Sequence, residues 1–322
     1  AVTYLMGYAE SFDQLYWLRA FMGVSEALYI PAGLSLIADW HEGKSRSLAI
    51  GIHMTGLYVG QAVGGFGATL AAMFSWHAAF HWFGIIGIVY SLVLLVFLKE
   101  NPKHGQKVAS QGEAKSSKNP FRGLSIVFST WAFWVILFYF AVPSLPGWAT
   151  KNWLPTLFAQ NLGIPMEEAG PISTITIAIS SFVGVIWGGF LSDRWVKRNL
   201  KGRIYTSAIG LGLTIPALIL LGIGHSLPAI VGAGLLFGVG YGMFDANNMP
   251  ILCQFISAKQ RATAYGIMNM TGVFAGAAVT QVLGKWTDGN QLGAGFAFLG
   301  GIVALALLAQ LWFLKPQTDN MD

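Results

Sequence analysis

The sequence predicts an all-α membrane protein, and three observations carry the prediction. Of 322 residues 54% are hydrophobic and only 10% charged, with a mean hydropathy of +0.57, whereas a soluble domain has about 25% charged residues. Apolar runs long enough to cross a hydrocarbon core, about 20 helical residues each, recur along the whole chain. Glycine is abundant, at 40 residues, and packed membrane helices use small residues to bring backbones close. No G-x-y period accompanies it, which excludes a collagen-like chain, and no run alternates polar with apolar as a barrel strand does.

The apolar runs place spans near residues 15–38, 47–73, 76–98, 131–158, 171–192, 203–224, 227–256, 262–284 and 293–314, with residues 1–9 reading as the tail of one more. Lys and Arg collect in short cytoplasmic loops. Apart from Arg19, Lys151 and Lys285, every Lys and Arg falls in the segments at 44–46, 99–122, 194–203, 259–261 and 315, all on one side of this arrangement. The intervening loops carry Glu10, Asp13, Glu167, Glu168 and Asp288. The alternation puts the polar segment and the C-terminus in the cytoplasm.

The net charge of +5 does not imply nucleic acid, because the basic residues lie between apolar runs and form no stripe on a soluble face. Cys253 is the one cysteine, so there is no internal disulfide framework, and it reads as a small buried hydrophobe. The chain begins AVTYLMGYA, apolar from the first residue and without a charged leader.

Residues 99–130 form the long polar stretch, rich in Lys, Ser and Gly, and read as a cytoplasmic linker between a bundle at 1–98 and a bundle at 131–322. An internal repeat divides the chain in the same way. RSLAIGIHMTG from Arg46 is echoed by RATAYGIMNMTG from Arg261, with one residue inserted in the second copy. Carrying that offset back from the second bundle puts the start of the first about 85 residues before Ala1, so the chain is expected to enter within the third helix of its first half.

Two six-helix halves joined by a polar cytoplasmic loop resemble the major facilitator superfamily, and local motifs carry the resemblance. GGFLSDRWVKR at 188–198 is similar to the family's loop between the second and third helix of a half. RAFMGVSEA at 19–27 is similar to its fourth helix, and DWHEGKSRSLAIG at 39–51 to the loop that follows. The resemblance implies pseudo-two-fold symmetry, with the first two helices and most of the third absent. It also makes Asp39, Arg46, Asp193, Arg194, Arg198 and Arg261 candidates for gating loops. VSEALYIPAGLSLIADW and NWLPTLFAQNLG at 152–163 resemble the sugar-acid, sugar-phosphate and other organic-anion permeases of the superfamily. Gly147 stands where organophosphate antiporters of the family carry Arg, and GQAVGG at 60–65 lacks the proline of drug-proton antiporters. The resemblance therefore implies a secondary transporter of a small organic anion, a sugar acid or other carbohydrate-derived solute, and the buried cationic and protonatable groups of the spans add the expectation of proton symport with alternating access. A sugar-phosphate exchanger and a non-transporting sensor are the alternatives.

Ionisable groups deep in a span are costly unless paired or hydrated, so Arg19, Glu26, Lys151 and Asp245 are the candidate site. Arg19 and Glu26 share a helix face about 10 Å apart along the axis, as an anion or relay site and a protonatable group, or as structural ties to other helices. Tyr241, Asp245 and Asn248 share a face just before Pro250. Asp245 is a candidate proton carrier, because burial disfavours a charged carboxylate; the alternative is an Asp satisfied by Asn247 and nearby backbone at a proline kink. Lys151 follows Pro143 and Pro146, which should break its helix. It either draws an anion to the outer mouth or snorkels between Trp148 and Trp153. His53 and Asn269, in glycine stripes, read as polar glue between helices, with Asn269 kept as a site candidate, and Tyr58 and Gln61 are expected to line a cavity.

No H-E-x-x-H, G-x-S-x-G, C-x-x-C or P-loop spacing occurs, so neither an enzyme nor a metal or other cofactor is expected. The expected partners are a small anionic solute, a coupling proton with sodium as its alternative, and lipid, for a monomer in a bacterial inner membrane. The repeat predicts that residues 47–73 and 262–284 superpose after rotation of one half onto the other. The charged loops predict that Asp193 faces Arg194, Arg198 or the positive end of a nearby helix.

Overall fold

A computed structural model describes residues 1–40, 44–98, 127–129, 131–257, 260–316 and 318. The chain divides into two compact units, Ala1–Ser116 and Ser117–Asp322, and the described elements are helical throughout.

The first unit holds α1 (Val2–Met6), α2 (Phe12–Trp40), α3 (Lys44–Gly64), α4 (Gly67–Met73) and α5 (Trp76–Phe97). The apolar run at 47–73 predicts one helix, but Gly65 and Phe66 form a turn that separates α3 from α4. Consecutive glycines at 64 and 65 weaken a helix by about 1 kcal/mol each relative to Ala. The start of α5 is fixed by Ser75, whose Oγ accepts from the Ala78 N–H at 3.0 Å, a typical N-cap. Tyr4 and Tyr8 pack on His81 of α5 at ring separations of 5.0 and 4.5 Å, which docks the α1 turn on that helix.

The second unit holds α6 (Trp131–Leu162), α7 (Met166–Val196), α8 (Gly202–Ile223), α9 (Leu227–Asp245), α10 (Asn248–Cys253), α11 (Arg261–Asp288) and α12 (Leu292–Phe313). Residues 127–129 are already helical and Val127 lies in this unit's core. Tyr139, Phe133, Phe158, Phe237, Phe244 and Phe296 are its largest fully buried side chains. Gly163, with φ of 64°, turns the chain out of α6, and Asn290, with φ of 56°, does so after α11; glycine and asparagine tolerate this left-handed conformation best. Glu167 and Glu168 in the first turn of α7, and Lys285 in the last turn of α11, complement the helix dipoles.

Seven described helical segments are long and apolar enough to cross a membrane: 76–97, 133–162, 166–196, 202–223, 227–253, 263–288 and 292–313. The span 227–256 is interrupted at Ala246 and Asn247. Pro250 has no N–H for the carbonyl four residues back and its ring crowds that carbonyl, so the helix stops there and restarts at Asn248. By contrast α6 runs unbroken through Pro143, Pro146 and Pro155, against the expectation that the first two would break it. Backbone groups freed by proline inside a membrane helix find other partners. Side-chain hydroxyls add bonds to carbonyls along the same stretch: Ser144 donates to the Phe140 carbonyl at 2.6 Å, and Thr150 to those of Pro146 and Gly147 at 3.0 and 2.9 Å.

Small residues set the helix spacing. A methyl group on Gly184 or Gly188 of α7 would overlap the α9 backbone at Val239 or Met243, and one on Gly242 would overlap α7 at Ser181. Gly210 and Gly240 meet in the same way between α8 and α9, and Gly222 and Gly293 between α8 and α12. Overpacking costs about 1–3 kcal/mol, so Gly184→Leu or Gly242→Leu should lower the melting temperature of the purified protein in detergent. Gly232→Leu, at a position open within 4 Å, should leave it unchanged. Equal melting temperatures for the seam and open-site variants would contradict this packing account.

Candidate functional site

The interruption between α9 and α10 gathers the polar groups of the second unit. The Asn247 N–H turns to the Phe244 carbonyl at 3.1 Å, and its side-chain Nδ2 donates to the Met243 carbonyl at 2.8 Å. Asn247 therefore serves the backbone, and it is Asn248 that serves Asp245: Nδ2 donates to Asp245 Oδ1 at 3.2 Å. This corrects the alternative that made Asn247 the partner of the carboxylate. Asp245 is exposed and Asn248 buried, and the Oδ1 of Asn248 has no hydrogen-bond partner.

Lys151 of α6 acts on Asp245 by its charge, but the two form no ion pair. The ammonium lies over the Trp148 ring instead, 4.8 Å from its centroid. Tyr241 of α9, one turn before Asp245, packs on Gly147 of α6, one turn before Lys151; any side chain at 147 would collide with its phenol. The space over Gly147 is thus filled by a tyrosine from another helix. On α11, Tyr265 lies within electrostatic reach of Asn269 and Asp245. Tyr139 of α6 also feels that charge, while its hydroxyl bonds Ser207 of α8.

Of the residues the sequence singles out, the second unit therefore brings Lys151, Asp245, Asn248 and Asn269 into one electrostatic neighbourhood. Tyr241 joins them, and Tyr139 and Tyr265 are additions that a tyrosine in an apolar run does not announce.

In the first unit, Arg19 and Glu26 are exposed on α2, and neither forms an ion pair among the described residues. Tyr58 and Gln61 are half-buried on α3. His53 packs on Tyr29 of α2 at a ring separation of 5.8 Å, a contact between helices. The side chains of Asp39 and Arg46 lie outside the described residues.

At the charged end of α7, Asp193 faces neither Arg194 nor Arg198, both of which are exposed. Its partner is Arg203 in the first turn of α8, with Nη2 3.9 Å from Oδ1. Its described ion-pair partner is thus on the following helix, outside the motif that contains Arg194 and Arg198. The Asp193 side chain is 75% exposed, and such pairs contribute about 0–1 kcal/mol. Arg261 begins α11 and donates from Nε to the Ile256 carbonyl at 3.2 Å. Gln254 donates to the Leu200 carbonyl at 2.9 Å, tying the segment after α10 to the loop before α8.

Chemically, the neighbourhood offers one ammonium, one carboxylate, phenols and carboxamides spread over four helices. Such scattered single groups hold a solute or a proton better than they assemble a nucleophile with its base. Among the described residues no group of His, Cys, Asp and Glu is placed to hold a metal ion.

Comparison with known proteins gives this arrangement a family. Residues 1–280, and again 199–321, match the model of the Major Facilitator Superfamily. The chain is 25% identical over 334 residues to the D-galactonate transporter of Escherichia coli O6:H1, covering 96% of this chain and 76% of that protein. To the hexuronate transporter of Bacillus subtilis it is 24% identical over 326 residues, covering 96% and 74%. To the chloroplastic ascorbate transporter of Arabidopsis thaliana it is 23% identical over 303 residues, covering 89% of this chain and 56% of that relative's length. The chain thus spans little more than half the length of this last relative. Among solved structures, a bacterial homologue of the human lysosomal transporter Spinster, in an inward-facing and unoccupied conformation, superposes with a TM-score of 0.76. It has 19% identity, over 100% of this chain and 82% of that one. A D-xylose-proton symporter gives 0.71 at 17% identity over 99% and 74%, so the fold is shared across widely diverged sequences. With a family match over most of its length and seven described segments fit to cross a membrane, the chain belongs to the Major Facilitator Superfamily and is a multi-pass membrane protein.

Proposed function

We propose that the protein is a secondary active transporter that moves a small organic anion, a sugar acid, by alternating access and proton symport. The observation that carries the reading is the Lys151 ammonium: it is exposed, has no carboxylate partner among the described residues, and lies within electrostatic reach of Asp245. A cation held by an aromatic face keeps its full charge for an incoming carboxylate. The names of the relatives, which include galactonate, hexuronate and ascorbate transporters, support a carbohydrate-derived anion.

Electrostatics supports coupling to a cation, and the proton is the cation proposed. An anion entering a negative-inside cell opposes about 2.3 kcal/mol per charge per 100 mV. One cotransported proton cancels that term and a second adds drive. Asp245, whose described hydrogen bond comes from Asn248, is the proposed carrier, with Glu26 of α2 as the alternative carrier and Arg19 as a second anion-binding group. The linker and C-terminus lie in the cytoplasm in this reading, the membrane is the bacterial inner membrane and the working unit is a monomer. One relative is called a sodium-dependent phosphate transport protein, which makes sodium the competing coupling ion and phosphate-bearing solutes the competing substrates.

Uptake by the full-length protein in proteoliposomes tests the proposal, with D-galactonate, hexuronates and sugar phosphates as solutes and imposed proton or sodium gradients. Sugar acids should accumulate with the proton gradient. A charge-assisted hydrogen bond is worth about 1.5–3 kcal/mol, so Lys151→Gln should raise KM by about tenfold or more. Asp245→Asn should abolish accumulation and spare downhill exchange. Normal accumulation by both Asp245→Asn and Glu26→Gln, or uptake that ignores pH and follows sodium, would overturn proton coupling. Transport of none of these solutes would overturn the substrate class.

The Asp193–Arg203 pair is proposed to bias the two conformations, since a pair of such modest strength matters only where states are nearly balanced. Asp193→Asn should therefore shift inward against outward accessibility to cysteine labelling. Unchanged accessibility would reduce the loop to a topology signal.

A further inference from the structure

The turn of α6 that carries Lys151 is seated on α11 on both sides of the lysine. Before it, Trp148 lies against Gly276; a methyl group there would overlap Cγ, Cδ1 and Cδ2 of the indole. After it, Asn152 Nδ2 donates to Thr280 Oγ1 at 2.8 Å, and Trp153 Nε1 donates to the Thr280 carbonyl at 3.1 Å. Thr280 in turn donates to the Gly276 carbonyl at 2.7 Å. Gly276 and Thr280 are one helical turn apart, so a single strip of α11 fixes the residues flanking Lys151. Of the two tryptophans beside Lys151, Trp153 is thus engaged with α11, and only Trp148 has its ring beneath the ammonium.

The geometry points to Trp148 as the residue that positions the Lys151 ammonium for the solute, with Gly276 as the seat that holds the indole in place. The physical reason lies in what the ring leaves open. A carboxylate in contact with Lys151 would neutralise it and occupy its N–H donors, whereas an aromatic face attracts the cation through its quadrupole and takes only one side. The long lysine chain loses rotamer freedom when it is held, and the indole removes that freedom before the solute arrives. Asp245 is the carboxylate whose charge reaches Lys151. Anchoring the ammonium on the ring keeps these two charges near each other and unpaired, so a solute anion meets a full positive charge.

This inference rests on the reading of Lys151 as the anion-binding group, and two measurements on the full-length protein separate them. Labelling of Lys151 by an amine-reactive reagent, followed by peptide mapping, reports the position of the ammonium whatever the protein transports. Removing a cation–π contact should change the labelling rate of Lys151 by about two- to fivefold in Trp148→Leu, with Trp148→Phe between it and the native protein. Gly276→Ala, which displaces the indole without removing it, should move the rate in the same direction as Trp148→Leu. Gly266→Ala on the same helix, at a position open within 4 Å, should not move it. Native labelling rates in both Trp148→Leu and Gly276→Ala would overturn the inference.

Transport kinetics supply the second arm. With a hexuronate as solute, Trp148→Leu should raise KM with little change in the saturated rate, and should have no further effect on KM in a Lys151→Gln background. An equal effect of Trp148→Leu in both backgrounds would show that the indole does not act through the lysine, and would also overturn the inference. A native KM for Lys151→Gln would instead overturn the reading of Lys151 itself, while the labelling rates still decide what holds the ammonium.

Discussion

A helix in lipid must satisfy its own backbone, and the second unit is organised around the place where α9 cannot. Pro250 supplies no N–H to the carbonyl at 246, and the chain turns through Ala246 and Asn247 before helix resumes. Polar groups at such a turn need partners, which the hydrocarbon cannot provide. Asn247 spends its amide on the Met243 carbonyl, and Asp245, the one acidic or basic side chain of the segment 227–253, stands at the rim of the turn, bonded by Asn248.

Close approach of helices is the second condition for this site. Tyr241 reaches across Gly147, and Trp148 reaches across Gly276. These are two aromatic side chains from facing helices, each admitted by the absence of a Cβ. The same device spaces α7, α8, α9 and α12 through pairs of glycine and serine. Glycine in this chain therefore does two kinds of work with one property. Along α7 and α9 it brings backbones together, and along α6 and α11 it makes room for the rings that frame Lys151 and Asp245.

Much of this was legible in the sequence because the bilayer imposes it. Apolar runs, positive loops and glycine stripes gave the spans in the second unit to within a few residues, apart from longer ends on α6, α7 and α11. Lys151 and Asp245 stood out because charge inside a span is expensive. What escaped depends on contacts between distant segments. Nothing local marks Gly276 as the seat of Trp148, 128 positions earlier in the chain. Tyr139 and Tyr265 carry no local signal: the hydroxyl of Tyr139 is bonded to Ser207 of another helix, and Tyr265 lies in electrostatic reach of Asn269 and Asp245. The local motif around Asp193 offers Arg194, Arg198 or a nearby helix end as its partner, whereas Arg203 lies beyond the motif, on the next helix. Proline also misled in one helix and not in the other: α6 absorbs three, while α9 stops at one, next to a run of Asp, Ala and two Asn that favours turning.

The account makes Lys151 the group that meets the solute's negative charge, and a structure of the full-length protein with a hexuronate bound tests this most directly. It predicts the hexuronate carboxylate within hydrogen-bond distance of Lys151 Nζ, with the ammonium still over the Trp148 ring. A hexuronate bound elsewhere, its carboxylate met by other cations while Lys151 makes no contact with it, would contradict the account.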